Sequence, residues 1–181
     1  AWGFLPERPN WARGFEDFWV PGESGACQRL EDFLDEDVKF YGDERNRPDH
    51  EGTSRLSPHL HWGEISPRTI WYQTQTRMHE KGWEREGLEF LREIAWREFS
   101  YHLLFHKPDL PSQPLRREFE NFPWELNPDY LKRWQKGMTG YPIVDAGMRE
   151  LWHTGWMHNR VRMIAASFLI KHLLIDWRQG E

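Results

Sequence analysis

The sequence predicts an all-α domain, on three observations. Helix punctuation recurs along the chain, with a capping residue, a proline in the first turn and a glycine past the end. Several segments space their apolar residues three and four apart. No stretch alternates apolar and polar residues as a half-buried strand would, and no internal repeat is present.

Taken in order, Ser24 can cap a helix that runs through Phe33 and beyond, with Cys27, Leu30 and Phe33/Leu34 at helical spacing. The stretch FYGDERNRPDHEG then breaks the chain. TSRLSPHLHWG reads as a compact helix ended by Gly63. SPRTIWYQTQTRMHEKG offers Ser66 as cap, Pro67 in the first turn and Gly82 as stop. REGLEFLREIAWREFSYHLLFH reads as a long helix with Leu88, Leu91, Ala95, Phe99 and Leu103 along one side. Four prolines make KPDLPSQPLRREFENFPWEL an ordered surface loop, pinned by Phe119, Phe122 and Trp124. NPDYLKRWQKG repeats the Asn, Pro, Gly punctuation. PIVDAGMRELWHTG and WMHNRVRMIAASFLIKHLLIDWRQ complete one helical domain over residues 1–181, with 84–106 and 156–177 as its longest buried helices. The chain opens without a start methionine and closes just after DWRQ, which reads as an excised piece of a longer protein.

Composition bounds the function. A hydrophobic share of 38% over 181 residues suits one soluble domain with a core. Twelve tryptophans exceed core needs and suit stacking on bases or on a flavin. The lone Cys27 leaves no internal disulfide and no cysteine-built zinc site, which favours a reducing, cytoplasmic setting. No apolar run is long enough for a membrane span. The net charge of -5 is unevenly spread. Residues 1–52 carry 6 Lys and Arg against 13 Asp and Glu, and the rest carries 18 against 16. A local basic site on such a body can still meet phosphates.

Two triplets at helical spacing could carry chemistry: Glu93, Trp96 and Arg97, and Trp156, Asn159 and Arg160, with Arg162 one edge over. They offer indole plates, a carboxylate, an amide and guanidinium groups, enough to stack on bases and grip phosphates. Tryptophan anchors flanked by surface ion pairs fit the same spacing. GTSRLS places hydroxyls near a helix start, a natural phosphate cradle or an ordinary cap. The nine histidines include His59 and His61, and His102 and His106 at i, i+4, but no HExxH or cysteine pair completes a metal site.

From about Tyr41 onward the chain resembles the photolyase/cryptochrome family, in its helical FAD-binding domain. The likeness rests on GTSRLSPHL, FLREIAWREF, KGMTGYPIVDAGMRELWHTGWMHNRVRM and LLIDWRQGE. The subgroup it most resembles is the class I cyclobutane pyrimidine dimer photolyases, since the (6-4) relatives are expected to carry histidine where Asn159 stands. The resemblance implies FAD, with Tyr41, Thr53, Ser54, Arg55, Leu56, Ser57, Arg97, Trp156 and Arg162 as cofactor-binding positions. It implies Arg45, Glu93, Trp96, Asn159 and Arg160 as contacts to dimer-containing DNA. Glu93 and Asn159 then act at the lesion, and Trp124 and Trp177 match the outer and middle positions of an electron relay. The implied reaction is light-driven electron transfer from reduced FAD to a pyrimidine dimer, in a monomer with no metal and no membrane association. Expected before residue 1 is an antenna domain holding a folate or deazaflavin pigment. Expected after residue 181 are an acidic flavin-contacting loop and the innermost tryptophan. The piece alone should therefore hold FAD weakly and be inactive. A cryptochrome photoreceptor, or a flavin-free helical fragment with only a packing role, are the alternatives.

Overall fold

The computed structural model describes residues 6–180. These divide into two compact units, Trp19–His106 and the combination of residues 6–18 with 107–180. Every regular element among the described residues is helical, as the sequence predicts.

In the unit Trp19–His106, α1 (Glu23–Asp32) starts after Gly22 rather than at Ser24. Gly22 sits at φ +98, a conformation that lacks penalty only without a Cβ. The expected break near residue 40 also comes later. The chain stays helical through a π turn (Phe33–Asp37) and a 3-10 turn (Val38–Phe40) into α2 (Tyr41–Glu44). A five-residue α3 (Ser57–His61) follows the loop. Then α4 (Pro67–Lys81) begins as its punctuation predicts: the Arg68 N–H donates to the Ser66 hydroxyl, and Gly82 closes the helix. Its partner is α5 (Glu84–His106), and the two pack together. At Gly87 an added Cβ would lie 2.8 Å from Met78 Sδ, so this approach depends on glycine.

Leu30, Phe33, Tyr41, Ile70, Phe90 and Ile94 lie in the core of this unit. Phe33, Tyr41 and Phe90 form an aromatic trio with centroid separations of 4.7–5.7 Å. Each such pair adds roughly 0.5–1.5 kcal/mol beyond its buried area. The buried stripe of α5 is Gly87, Phe90, Leu91 and Ile94, which shares Leu91 with the predicted stripe but not Leu88 and Phe99. Those two side chains are exposed, because the face toward α2 and α4 is turned by about one residue from the predicted one.

In the other unit, α6 (Pro128–Gln135), α7 (Pro142–Thr154) and α8 (Asn159–Ser167) surround a core that includes Trp134, Val144, Met148, Val161 and Leu169. The buried Trp134 Nε1–H donates to the Ala165 carbonyl at 3.0 Å. Between α7 and α8, a Cβ on Gly147 would come within 2.2 Å of Val161 Cγ1.

The last predicted helix needs correcting. Gly155 adopts a left-handed φ of +74 and ends α7, and α8 starts only after His158, whose ψ is 137. Nine residues later the helix passes into a π turn (Phe168–His172), and Leu174 at φ +54 ends the run. The prediction followed an unbroken apolar pattern that carries no mark of these two backbone reversals. Several large rings stay outside both cores; Trp62 is 76% exposed and Trp152 is 71% exposed.

Candidate functional site

A cavity of about 420 Å³ opens in the unit Trp19–His106. Ser24, Gln28, Arg29 and Asp32 of α1 line one side, and Glu51, Thr53, Ser54 and Arg55 line another. Gly52 seats this loop: a Cβ there would lie 2.6 Å from Glu44 Cβ. Arg55 takes a left-handed φ of +50, a conformation of some cost for a non-glycine residue. Its Nη2 reaches Glu51 Oε1 at 3.0 Å. Leu56 anchors the loop in the core, and Ser57 is exposed at the first position of α3. With five residues α3 contributes little dipole, so the polar groups gathered here are those of the loop and cavity wall rather than of a helix end.

Arg45, Tyr41 and Glu93 come together beside this loop's core. Arg45 Nη2 lies 2.7 Å from Glu93 Oε1, and its guanidinium carbon sits 5.3 Å from the Tyr41 ring centroid. The ion pair offsets the Glu93 charge where it stands. Tyr41 is buried among Phe33 and Phe90, and burial pushes its hydroxyl up to about 12. Trp96 is more than half exposed and meets Phe99 edge-on at 5.8 Å. Arg97 turns inward instead, donating to the Leu60 carbonyl at 3.1 Å and lying 4.5 Å from the Tyr101 centroid. Arg97 thus ties α5 to α3.

The second triplet belongs to the other unit, and its helical face does not form. Trp156 precedes α8 in the turn after Gly155, while Asn159 and Arg160 are the first two residues of α8. Both are exposed, and both point a side-chain nitrogen toward Met163 Sδ. Arg162 Nη2 reaches back to the Met157 carbonyl at 3.4 Å. In the same unit Trp124 is half-buried against Phe122, with centroids 4.4 Å apart. The next residue, Glu125, donates its N–H to the Leu174 carbonyl at 2.7 Å, three residues before Trp177.

Sequence reasoning missed three residues that hold these parts. His158 caps α8, its Nδ1 accepting the Arg160 N–H at 3.1 Å. Asp145 binds the TGY turn ahead of α7, accepting from the Thr139 N–H, the Thr139 hydroxyl and the Gly140 N–H. Burial pushes the Asp145 carboxyl up, but the Thr139 and Gly140 hydrogen bonds outweigh it and leave the carboxyl below 3.8. His59, set aside as half of a poor metal pair, is buried and bonded to Glu64 at 2.6 Å. A buried histidine five residues before a glutamate is a faint signal, legible only once both are placed. Among the described residues no group of three or more His, Cys, Asp or Glu side chains could hold a metal ion. No described helix is long and apolar enough to cross a membrane.

Residues 90–181 match a family described as the FAD binding domain of DNA photolyase. The chain is 53% identical over 180 residues to a deoxyribodipyrimidine photo-lyase of Agrobacterium fabrum, covering 99% of this chain and 37% of that protein. It is 41% identical over 170 residues to Cryptochrome-1 of Arabidopsis thaliana, covering 90% of this chain and 25% of that protein. Among solved structures, it superposes on a bacterial class III photolyase from Agrobacterium tumefaciens with a TM-score of 0.92, at 53% identity. That match covers 99% of this chain and 37% of that one. A Synechocystis cryptochrome matches with a TM-score of 0.83 at 34% identity, covering 90% of this chain and 34% of that one. The chain therefore spans between a quarter and little more than a third of these relatives.

Proposed function

The chain belongs to the DNA photolyase family through its FAD-binding domain, and on that footing we propose that the whole protein repairs cyclobutane pyrimidine dimers in DNA, driven by light and using FAD. The observation that carries this reading is the Arg45–Glu93 pair with Trp96 exposed one turn further along α5. A stacking plate next to a charge-compensated carboxylate suits a flat, polar lesion that gains an electron. Residues 1–181 form, in this reading, one partial FAD-binding domain. The affinity for class I that the motifs suggest is not carried forward, because the similar solved structure is of a class III enzyme.

The cavity fits the phosphate and polyol part of FAD. It offers hydroxyls from Ser24, Thr53 and Ser54, two guanidinium groups and three carboxylates, and Gly52 brings the loop backbone in close. By the family resemblance, Leu56, Ser57, Tyr41 and Arg97 of this unit, and Trp156 and Arg162 of the other, are proposed as further cofactor contacts. FAD, when bound and reduced, supplies the light-driven electron transfer. The chain's own residues position the partner. Trp96 stacks on the dimer, and Glu93 and Asn159 accept and donate hydrogen bonds to its base edges. Arg160 meets a backbone phosphate, and Arg45 holds Glu93 until DNA arrives. Photolyases as a class act on a base taken out of the stack, so that step comes with the family and not from this geometry. Trp124 and Trp177 are proposed as relay positions, and a separate antenna pigment is proposed for the whole protein, acting as a monomer in the cytoplasm.

The test is repair of dimer-containing oligonucleotides under blue light by the full-length protein, in the dark and after Glu93→Ala. Repair that needs light and drops at least tenfold in the variant supports the proposal. The cryptochrome likeness favours one competing reading, a photoreceptor. FAD binding and photoreduction without light-dependent repair would establish that reading instead.

A further inference from the structure

Within the unit Trp19–His106, the cavity holds a cation that no sequence motif points to. Arg29 lines it from α1, opposite the loop that carries Arg55. Its guanidinium carbon lies 4.8 Å from the Trp19 ring centroid. Trp19 in turn meets the His59 ring edge-on at 6.1 Å. His59 is 2% exposed, with Nδ1 2.6 Å from Glu64 Oε2. A carboxylate can only accept, so Nδ1 carries the proton. The His59 hydrogen bond, aided by one from the Gly22 backbone, holds the Glu64 carboxyl below its usual range. Gly22 is the residue from which α1 starts. The contacts therefore run from Arg29 through Trp19, His59 and Glu64 back to the start of Arg29's own helix.

Such a brace fixes a side chain whose position is electrostatically unfavourable. Burial first, and the Arg55 guanidinium second, pull the Arg29 pKa below its ordinary value. Arg55, itself paired with Glu51, repels Arg29 in this half-buried cavity, while Asp32 and Glu51 attract it, and a phosphate reaching both guanidinium groups relieves the repulsion and desolvation that these carboxylates leave. A guanidinium held over an indole ring can still offer its N–H fork for a two-point grip on a phosphate. The same cavity carries Asp32, Asp37 and Glu51. Those carboxylates disfavour a bare polyanion and match the hydroxyls of a sugar or polyol attached to the phosphate.

We propose that Arg29 binds the diphosphate portion of FAD, presented to the cavity by a Trp19–His59–Glu64 brace. Arg29 is thus a cofactor-binding residue, and His59 and Glu64 are positioning residues that act through it. The assignment rests on the cavity being the cofactor site.

The experiment uses the full-length apo-protein, titrated with FAD, with ADP as competitor and riboflavin as a phosphate-free control. Wild type binds FAD and ADP. Arg29→Gln weakens both about tenfold or more, leaves riboflavin unchanged, and Arg29→Lys falls between. Glu64→Ala gives a similar loss, and Glu64→Gln, which keeps an acceptor oxygen, gives a smaller one. The double variant Arg29→Gln/Glu64→Ala is no weaker than Arg29→Gln alone, because the two act along one chain of contacts. Circular dichroism confirms that each variant is folded, and Arg29→Lys stands in should Arg29→Gln fail to fold. Wild-type affinity for FAD in both Arg29 variants overturns the proposal and leaves the cofactor site standing. Additive losses in the double variant overturn the brace. A wild-type protein that does not bind FAD overturns both the proposal and the cofactor site.

Discussion

Trp96 and Arg160 differ in what they offer DNA, and their substitutions separate accordingly. Trp96 is exposed and proposed as a stacking plate, so Trp96→Ala in the full-length protein should weaken binding to dimer-containing DNA by about 1–3 kcal/mol. Arg160 is exposed at the start of α8 and is expected to meet a phosphate. Its replacement by Ala should lower the slope of log affinity against log salt by about one, with little change in lesion preference. Binding isotherms at several salt concentrations read both effects, and unchanged isotherms would make these helices structural only. Asp145 makes a different prediction. Its carboxyl is depressed in the fold, so its contribution is present above the unfolded value and is lost as pH falls through the folded one. Asp145→Asn should therefore cost roughly 1–3 kcal/mol at pH 7, a charge-assisted hydrogen-bond loss, and much less once pH has fallen through the depressed value of the folded state. Thermal melts of both forms at neutral and acid pH decide it; a gap that stays constant with pH would rule out the carboxylate's role.

Helix ends marked by proline, glycine or a common capping residue were legible, and the one capped by a histidine ring was not. Ser66, Pro67 and Gly82 delimit α4 as the sequence predicts, because each is of a type favoured at its position. The start of α8 depends on His158, which caps through a ring nitrogen, a role outside the Ser, Thr, Asp and Asn preference. Its sequence context, WMHNRVRM, has helical spacing throughout, so the Trp156 triplet looked like one face. The loop proposed for the cofactor stands out in sequence by its hydroxyls, whereas its seat on Glu44 through Gly52 follows only from the fold. For α8, His158→Asn should keep the cap and His158→Ala should lose it. The alanine variant should speed hydrogen exchange at Arg160 and Val161, by about the factor that 1 kcal/mol of cap energy gives. Gly147→Ala forces a Cβ against Val161 and should destabilise by about 1–3 kcal/mol or more, read from denaturant midpoints. No change on Gly147→Ala would mean that α7 and α8 separate readily.

At the scale of the molecule, the proposed electron relay would draw on parts distant in sequence. The bond from Glu125 to Leu174 holds the proline-rich loop to the segment that leads into Trp177. In the full-length protein Trp124→Phe should abolish reduction of oxidised flavin by external donors under light. Repair should persist when the flavin is reduced chemically first, since the relay stands outside the repair cycle. Absorbance during illumination checks this, and photoreduction surviving in both Trp124→Phe and Trp177→Phe would end the assignment. The placement of the indoles has a further consequence, in spectroscopy. Trp62 and Trp152 face solvent while Trp134 is enclosed and hydrogen-bonded. Polar surroundings shift indole emission to longer wavelength, so iodide should extinguish a red-weighted part of the emission, from Trp11, Trp62, Trp96 and Trp152. The part that resists iodide should lie further to the blue and report on Trp134 and the half-buried indoles, and it should move to the red on unfolding.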